Sequence, residues 1–448
     1  MTTVVEGCAI VAMDSQGTEI DGGHIVFSDG RITAIGSGPF DGDADRIDGR
    51  GLLATPGLVN CHHHLYQSLT RGRAQQANLF EWLTALYPDW AHIDAELENA
   101  AATAGLIALA GSGCTTTTDH HYVFPAGAGD ILEAEIAAAQ TVGLRFHPCR
   151  GSMDLGASRG GLPPDEVTED RDLILAASSD AIERWHDPSF DSMLRIALAP
   201  CSPFSATTEL MVETAELARN RDVRLHTHLA ETKEEEEFCV ERFGKRPVEF
   251  LEDLGWLGDD VWLAHCVHVS SEEVSRFAAT RTGVAHCPSS NARLGAGIAP
   301  VADLLTAGAP VGLGVDGAAS NEAGELNLEL RAALFWARLR GGAAALTARS
   351  ALRLATIEGA RCLGRAEEIG SLEVGKLADI ALWRIDELAY AGIGDFSAAL
   401  VLGPPRPVEM LFVGGRPVVE AREVVTADAA VAATALEKAV ARLEDRVR

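Results

Sequence analysis

Residues 223–232, with the sequence VRLHTHLAET, start as a buried strand and end in a loop that carries a carboxylate. Side chains alternate between the two faces of a strand, so His226 and His228 point the same way, with His228 nearer the C-terminal end. Glu231 follows three residues later, where a loop can bring it back over whatever His228 holds. The pattern is typical of a metal ligand beside a general acid or base, and equally of a structural histidine pair. The rest of the chain has to separate these interpretations.

The same kind of unit recurs between residues 56 and 365. Apolar, β-type runs are predicted as strands at residues 57–61, 114–119, 143–149, 194–200, 223–228, 261–265, 283–287 and 311–316. Amphipathic helical patterns lie between them, among them Ala95–Ser112, Glu209–Arg219, Val248–Leu254 and Glu272–Ala279. Eight alternating units predict an α/β fold of the closed (β/α)8 TIM-type barrel. The alternative, an open doubly wound sheet, is disfavoured because no Gly-x-Gly-x-x-Gly opens a helix after the first strand.

The two chain ends have a different pattern. Residues 1–55 and 366–426 predict short strands separated by turns, such as Val4–Val11 and, near the other end, 408–413. We interpret them as the two parts of one composite β-sandwich domain, with the barrel of residues 56–365 inserted between them. Residues 427–448 are rich in alanine and predict a C-terminal helix.

Composition limits the environment and the partners. The chain has 448 residues and a net charge of −28, which argues against a nucleic acid partner because little would neutralise its phosphates. No apolar run approaches the roughly 18 residues that a membrane span needs, and Met1–Ile10 leads us to expect no signal peptide. The nine scattered cysteines contain no Cys-x-x-Cys, which favours reduced thiols in a cytoplasmic protein over disulfides or a thiolate zinc site.

Polar residues cluster where the predicted barrel strands end. These C-terminal ends converge on one face, which holds the active site in barrels of this kind. The first strand is followed by His62 and His64, which share the lumen side, while the fifth, sixth and eighth end at His228, His265 and Asp316. Imidazoles and a carboxylate suit a first-row divalent ion such as zinc, with a position left for water. If these were unrelated polar residues, side chains that can bind a metal would have to occur by chance at four separate strand ends.

The motif Pro-Gly-Leu-Val-Asn-x-His-x-His at residues 56–64, then His-x-x-Glu at 228–231, a strand-end His265 and Gly-x-Asp-Gly at 314–317, resembles the amidohydrolase superfamily. More narrowly it resembles the nucleobase-deaminase and chlorohydrolase branch, and the similarity covers essentially the whole chain. Several longer stretches resemble bacterial 8-oxoguanine deaminases, namely His62–Thr70, Asp119–Pro125, Arg150–Leu155 with Gly160–Pro164, Ala199–Phe204, Leu225–Glu231, and Cys287–Leu294 with Gly312–Asn321.

The resemblance implies a metal centre with four ligands, His62, His64, His228 and Asp316. Binuclear members of the superfamily commonly bridge two ions with a carboxylated lysine on the fourth strand. The first lysine of this chain is Lys233, beyond the fifth strand. We therefore expect one divalent metal ion per subunit, with Zn²⁺ as the expected ion.

The resemblance also implies the proton-transfer roles. Glu231 would take a proton from water and deliver it to a ring nitrogen of the substrate. Asp316 would relay the second proton so that ammonia leaves, and His265 would polarise the forming oxyanion or orient the water. His226, a full pleat deeper than His228, is then expected to pack in the barrel lumen.

Four residues are candidates for substrate binding. Gln67 matches a glutamine that contacts the purine edge in guanine-type deaminases, although a surface-loop role is the alternative. Cys201 follows the fourth strand, where relatives place substrate contacts. Trp82 belongs to an aromatic-rich stretch that either caps a flat ring or packs. Tyr122, after His120 and His121 of the second strand, either lines the pocket or packs against it.

The function implied by these residues is zinc-dependent hydrolytic deamination of an oxidised purine base, an aminohydrolase reaction at a C–N bond of a cyclic amidine. The first expectation is conversion of 8-oxoguanine to urate and ammonia. Deamination of isoxanthopterin or guanine, or hydrolysis of an s-triazine, is the alternative, because the metal chemistry is shared. A non-catalytic assembly module would be expected to have lost these residues.

The expected partner is a small, purine-like heteroaromatic molecule. The sequence leaves homo-oligomerisation open, because it contains no recognisable interface pattern.

Overall fold

The structure, a computed structural model, describes residues 2–448; Met1, the first residue of the predicted segment 1–55, lies outside the described residues. The strands are β1 Thr2–Val11, β2 Glu19–Ser28, β3 Arg31–Ser37, β4 Asp45–Asp48, β5 Leu52–Pro56, β6 Leu58–Asn60, β7 Cys114–His121, β8 Arg145–Ser152, β9 Ala197–Pro200, β10 Arg224–Leu229, β11 Val261–His265, β12 Gly283–His286, β13 Val311–Leu313, β14 Ile380–Arg384, β15 Met410–Val413, β16 Arg416–Glu420 and β17 Glu423–Val424. The α-helices are α1 Leu79–Trp90, α2 Ala95–Gly111, α3 Ile131–Val142, α4 Arg171–Trp185, α5 Thr208–Asn220, α6 Lys233–Phe243, α7 Pro247–Asp253, α8 Ser271–Thr280, α9 Pro288–Arg293, α10 Val301–Ala307, α11 Leu326–Gly341, α12 Ala348–Leu354, α13 Ile357–Cys362, α14 Phe396–Leu402 and α15 Ala429–Val447. Short 3₁₀ segments lie at Leu65–Thr70, Ala157–Arg159, Asp165–Val167 and Leu388–Tyr390.

Strands β6 to β13 close a parallel barrel in sequence order. The ring is completed where Leu313 of β13 lies opposite Asn60 of β6. All eight residues of β7 are buried, because one face of a barrel strand packs in the lumen and the other lies under the surrounding helices. The predicted (β/α)8 barrel is confirmed.

Both chain ends contribute to one separate sheet. Strand β5, which leads into the barrel, pairs antiparallel with β14, so that Leu382 lies opposite Ala54. The remaining strands extend from this pair in the order β17-β16-β15-β14-β5-β1-β2-β3, with β4 alongside β1. Apolar side chains such as Val5, Ile25 and Ile380 form a core of their own on this sheet. The prediction of a composite β unit built from both ends is confirmed.

The barrel strands differ from their predicted bounds mainly at the ends that turn sharply. The predicted eighth strand, 311–316, ends at Leu313, and Asp316 has a left-handed backbone with φ +63° that no strand accommodates. The fourth strand begins at Ala197 rather than at 194, and the third runs on to Ser152. Periodicity locates a strand but does not predict where the chain leaves it.

Helix α15 covers the side of the barrel mouth. Its residues Ala439 and Leu443 join a buried aromatic cluster that includes Trp90 and Trp82. Arg446 and Arg442 on the same helix pair with Asp94, the N-cap of α2. None of the helices in residues 2–448 combines the length and the apolar content that a bilayer crossing requires.

Candidate active site

The barrel brings the predicted ligands together at the C-terminal ends of its strands. His62 and His64 follow β6 directly, His228 lies in β10, and Asp316 follows β13. Because all eight strands are parallel, these ends open on one face, and the four side chains meet in the lumen at that face. All four residues are buried.

A hydrogen bond from Nδ1 orients each of the three imidazoles. His64 Nδ1 lies 2.7 Å from the carbonyl oxygen of His120, and His228 Nδ1 lies 2.7 Å from that of Cys201. A carbonyl oxygen only accepts, so both rings carry their proton on Nδ1. The Nε2 lone pairs of His64 and His228 therefore face the centre of the site, as in metal-binding histidines whose other nitrogen is held by an acceptor.

His62 also carries its proton on Nδ1, because of its hydrogen bond to His226. His226 Nδ1 lies 2.8 Å from the carbonyl oxygen of Trp262, and its Nε2 lies 2.8 Å from His62 Nδ1. The Trp262 carbonyl fixes the His226 proton on Nδ1, so His62 must donate from Nδ1 and keep its Nε2 lone pair free. The prediction that His226 is a lumen-packing residue is incomplete, because its ring also fixes the tautomer of His62.

Three pairs of donor atoms lie near the separation that a tetrahedral ion requires. His64 Nε2 is 3.1 Å from His228 Nε2, and Asp316 Oδ1 is 3.3 Å from His64 Nε2 and 3.5 Å from His62 Nε2. Around a tetrahedral ion with bonds of about 2.1 Å, neighbouring donor atoms lie about 3.4 Å apart. His62 Nε2 is buried and has no hydrogen-bond partner. Burial lowers the pKa of all three imidazoles, which keeps them neutral and able to bind a cation. The residues fit a divalent metal ion.

Asp316 is held in place by its own loop. Its Oδ2 accepts from the Ser290 hydroxyl at 2.6 Å, and its Oδ1 accepts from the Gly317 N–H at 2.8 Å. Burial opposes ionisation of this carboxyl, but the adjacent imidazoles of His62, His265 and His64 favour its charged form, so the pKa of Asp316 lies well below its usual range. The positive φ of Asp316, an arrangement with a cost of about 1 kcal/mol or more, turns the carboxylate back over the barrel mouth.

Glu231 and His265 form a second polar group beside these ligands. His265 Nε2 lies 3.5 Å from Glu231 Oε2 and 3.9 Å from Asp316 Oδ2, while its Nδ1 hydrogen-bonds the Asn291 amide at 2.9 Å. The Glu231 loop is fixed by Glu235, whose carboxylate accepts from the N–H groups of Ala230 and Glu231. Burial, followed by the charges of Asp316 and Glu235, raises the pKa of Glu231 well above its usual range. Glu231 Oε1 is buried without a partner, so this carboxyl group is free to exchange a proton with a bound molecule.

A cavity opens above this centre, and all four predicted substrate-binding residues line it. These are Gln67, Trp82, Cys201 and Tyr122. Gln67 Oε1 is buried and has no hydrogen-bond partner. A Cβ atom on Gly317 would lie 1.8 Å from that oxygen, so glycine at this position gives the Gln67 amide its space. Burial raises the pKa of the Cys201 thiol to about 12, so it stays protonated at neutral pH.

Other residues of the cavity wall escaped the sequence analysis. Leu79, Leu83, Phe204, Leu294 and Ser320 also line the cavity. They are apolar or small residues in helices and loops, where nothing in the sequence separates them from ordinary core residues. The positioning roles of Ser290 and Asn291 were missed as well, although both lie in a stretch that resembles deaminases.

His120 and His121 of the second strand, to which the sequence assigns no definite role, lie outside the cavity. His120 stacks on His228 with ring centroids 4.8 Å apart, and its Nε2 donates to the carbonyl oxygen of Ala199 at 2.9 Å. His121 points to the opposite face of β7, toward α2 and α3. Of the aromatic stretch only Trp82 reaches the cavity wall, while Tyr87 and Trp90 pack behind it.

Known proteins share this arrangement of sequence and fold. Residues 53–418 match the model of the Amidohydrolase family. Over 398 residues, 88% of each chain, the protein is 47% identical to 8-oxoguanine deaminase of Pseudomonas aeruginosa. It is 37% identical to isoxanthopterin deaminase from an unknown prokaryotic organism, over 93% of this chain and 92% of the other. The crystal structure of atrazine chlorohydrolase from Arthrobacter aurescens TC1 complexed with zinc matches with a TM-score of 0.91 and 34% identity over 100% of both chains.

Proposed function

Because the chain belongs to the amidohydrolase family and is a hydrolase of carbon–nitrogen bonds, we propose that it deaminates an oxidised purine base. The proposed substrate is 8-oxoguanine, hydrolysed at C2 to urate and ammonia. One observation carries the proposal: three free Nε2 atoms and Asp316 Oδ1 converge beside the unpartnered Glu231, under a wall that presents the unpartnered Gln67 amide. The 47% identity to an 8-oxoguanine deaminase supports the choice of base.

His62, His64, His228 and Asp316 would hold one divalent ion, and we propose zinc, which the atrazine chlorohydrolase structure contains. Such an ion, when bound, supplies a nucleophile at neutral pH by lowering the pKa of water from about 15.7 to about 7. The chain has no lysine before Lys233, so the fourth strand supplies no lysine that could bridge to a second ion in this centre.

Glu231 would carry the first proton. Its free Oε1 accepts a proton from the attacking water and returns it to the ring nitrogen next to the amino-bearing carbon, which becomes more electrophilic. His265, which faces both Glu231 and Asp316, orients the water and stabilises the negative charge that develops on oxygen. Asp316 relays the second proton to the leaving nitrogen. The Asn291 amide oxygen accepts a hydrogen bond from His265 Nδ1 and so fixes the orientation of the His265 ring for this role.

The cavity wall would select a flat, polar heterocycle. Gln67 can donate and accept at the lactam edge of the base, and Gly317 leaves room for that amide. Trp82 is fixed by a hydrogen bond from its Nε1 to the Ala319 carbonyl oxygen at 3.3 Å, so its ring forms a rigid wall. Tyr122 and Cys201 complete the wall on the side of β7 and β9.

Isoxanthopterin is the second candidate, supported by the 37% identity to an isoxanthopterin deaminase over 93% of the chain. A pterin has the same amino-lactam edge as guanine and would present it to Gln67 in the same way. An s-triazine is the third, supported by the fold of atrazine chlorohydrolase.

Steady-state kinetics with 8-oxoguanine, guanine, isoxanthopterin, isocytosine and a hydroxylated triazine test the proposal on one enzyme sample of known metal content. We expect 8-oxoguanine to have the highest kcat/KM. A tenfold higher kcat/KM for another substrate, about 1.4 kcal/mol of transition-state discrimination, would overturn the choice of substrate. Absence of turnover with the whole panel in metal-replete enzyme would overturn deamination itself.

A further inference from the structure

A second cluster of potential ligands lies on the outer face of β7, away from the cavity. Asp119 and His121 alternate with His120, so they point outward to the two helices that cover the strand. Helix α2 presents Glu98 to them and α3 presents Glu135. The two helices are tied side by side by a hydrogen bond from the Asn99 amide to the Ala134 carbonyl oxygen.

These four side chains are fully buried, but their hydrogen-bonding capacity is largely unused. Both oxygens of Glu98 and both oxygens of Glu135 have no partner, and Asp119 uses only Oδ1, which accepts from the Leu65 N–H. Across residues 2–448, no lysine or arginine side chain hydrogen-bonds or forms an ion pair with any of the three carboxyl groups. Buried acceptors of this kind are destabilising unless a proton or a cation satisfies them.

His121 adds an independent observation, because its free nitrogen points into the cluster. Its Nε2 donates to the Val123 carbonyl oxygen at 2.7 Å, which leaves a lone pair on Nδ1. That Nδ1 is buried without a partner and lies 3.5 Å from Glu98 Oε2. A histidine whose other nitrogen is fixed by a carbonyl oxygen is the usual arrangement of a metal ligand.

The spacing between His121 and Glu98 fits a shared ion better than a shared proton. One donor atom from each of Glu98, His121 and Glu135 lies within 4.8 Å of the other two. A proton between Glu98 and His121 would need a separation of about 2.5–3.0 Å, shorter than the one present. Two donor atoms bound to one divalent ion at about 2.0–2.2 Å lie about 3.3–3.6 Å apart, which agrees with it.

We propose that Glu98, His121 and Glu135 form a second, structural cation site for a first-row divalent ion such as Zn²⁺ or Mn²⁺, with Asp119 beside it. One imidazole with carboxylates suits these ions better than the softer metals that prefer thiolates. The ion would join β7 to α2 and α3 and would take no part in the reaction. The protein would then bind two ions per chain, one of them in the active centre.

The position of the cluster indicates that a bound ion would stabilise the end of β7. His121 lies between His120, whose carbonyl oxygen orients His64, and Tyr122, which lines the cavity. An ion bound to His121 would fix the end of β7 at the point where it contacts both the metal centre and the cavity.

The competing explanation is that the three carboxyl groups share protons. Burial, with repulsion among these groups, raises the pKa of Glu98 and Glu135 well above the usual range, and burial raises that of Asp119 to about 7. Replacement of glutamate by glutamine separates the two explanations, because glutamine has the shape of a protonated glutamate and binds cations poorly. The double variant Glu98→Gln with Glu135→Gln is therefore compatible with proton sharing and incompatible with an ion.

The experiment measures bound metal in the full-length protein after removal of all metal with a chelator and dialysis against Zn²⁺ or Mn²⁺. We expect two ions per chain in the wild type, one in Glu98→Gln/Glu135→Gln, and one in His64→Asn, which lacks a ligand of the active centre. The matched control is Glu96→Gln/Glu133→Gln, which makes the same charge change on the exposed faces of the same helices and should keep two ions.

Thermal unfolding provides the second readout. The midpoint of His64→Asn should rise with added Zn²⁺ or Mn²⁺, because an ion that binds only the folded state stabilises it, and this rise should be lost when Glu98→Gln/Glu135→Gln is added. Equal metal content in the wild type and in Glu98→Gln/Glu135→Gln would overturn the proposal, as would a metal-independent midpoint in His64→Asn. Neither result bears on deamination, which the substrate panel tests separately.

Discussion

Replacement of His226 by phenylalanine tests whether this buried histidine sets the tautomer of His62. The ring lies face to face with Trp262, with centroids 4.5 Å apart and an angle of 18° between planes, and phenylalanine can keep that stack. What it removes is the acceptor 2.8 Å from His62 Nδ1. His62 is then left with a buried donor that no water reaches, or with its proton moved to the nitrogen that should bind the ion.

The expected magnitude follows from that lost bond. An unsatisfied buried donor costs about 1–3 kcal/mol, and loss of an acceptor behind a metal-binding histidine weakens metal affinity about 10–100-fold. We therefore expect zinc affinity, measured by competition with a chromophoric chelator, to fall by that factor in His226→Phe. Activity should return when zinc is added in excess, because Glu231 and the cavity are unchanged.

Two further variants make this result interpretable. His226→Gln keeps an acceptor near the position of Nε2 and should lose less affinity than His226→Phe. His147→Phe replaces another buried barrel histidine, one that makes no hydrogen bond to the predicted ligands, and should bind zinc as the wild type does. Wild-type zinc affinity in His226→Phe would refute the assignment of the His62 tautomer, since the network would then not be needed to hold it.

The remaining predictions concern proton transfer, the cavity and the metal. Glu231→Gln should lower kcat by about 10²–10⁴-fold with unchanged metal content, and retained turnover would remove Glu231 from proton transfer. Gly317→Ala should raise KM or prevent binding, because its Cβ would lie 1.8 Å from Gln67 Oε1; an unchanged KM would show that Gln67 does not bind the substrate. Asn291→Leu should lower kcat about tenfold or more, as expected when a catalytic group loses its orientation, while Asn291→Asp, which keeps an acceptor for His265 Nδ1, should lower it less. Chelation should abolish activity and lower the thermal midpoint, with both restored by zinc, and full activity in protein shown to be metal-free would contradict the metal centre.

The sequence contained most of what the fold required. The eight apolar runs and the turn-rich ends predicted the barrel and its companion sheet because local periodicity reflects burial, and burial is what the tertiary fold imposes. The sixth strand ends at His265 as predicted. The end of the eighth strand was less predictable, because the apolar pattern runs on to Asp316, whereas the strand ends at Leu313 and Asp316 adopts a positive φ. The candidate ligands could be identified because the geometry of a parallel barrel converts several strand-end positions into one location.

Partners across the barrel could not be predicted in the same way. Alternation placed His226 on the lumen face correctly, but it could not show that His62, 164 residues earlier, would hydrogen-bond it. The cluster of Glu98, His121 and Glu135 escaped for the same reason, since its members come from one strand and two helices. Spacing along the chain predicts the face on which a residue lies, whereas contact between distant elements depends on how those elements pack.

The hydrogen bonds behind the three imidazoles imply that the proposed metal binding and the choice of substrate depend on different parts of this barrel. The acceptors of His64 and His228 are carbonyl oxygens of His120 and Cys201, at the ends of neighbouring strands, and that of His62 leads through His226 to Trp262. The register of the barrel therefore fixes the positions of the predicted metal ligands, and register changes only if whole strands shift. The cavity wall is instead built from helices and loops that follow the strands, where side chains vary at little cost to the barrel. Relatives named for an oxidised purine, a pterin and a chlorinated triazine resemble this chain, and we expect side chains of the wall, rather than the register of the barrel, to distinguish their substrates.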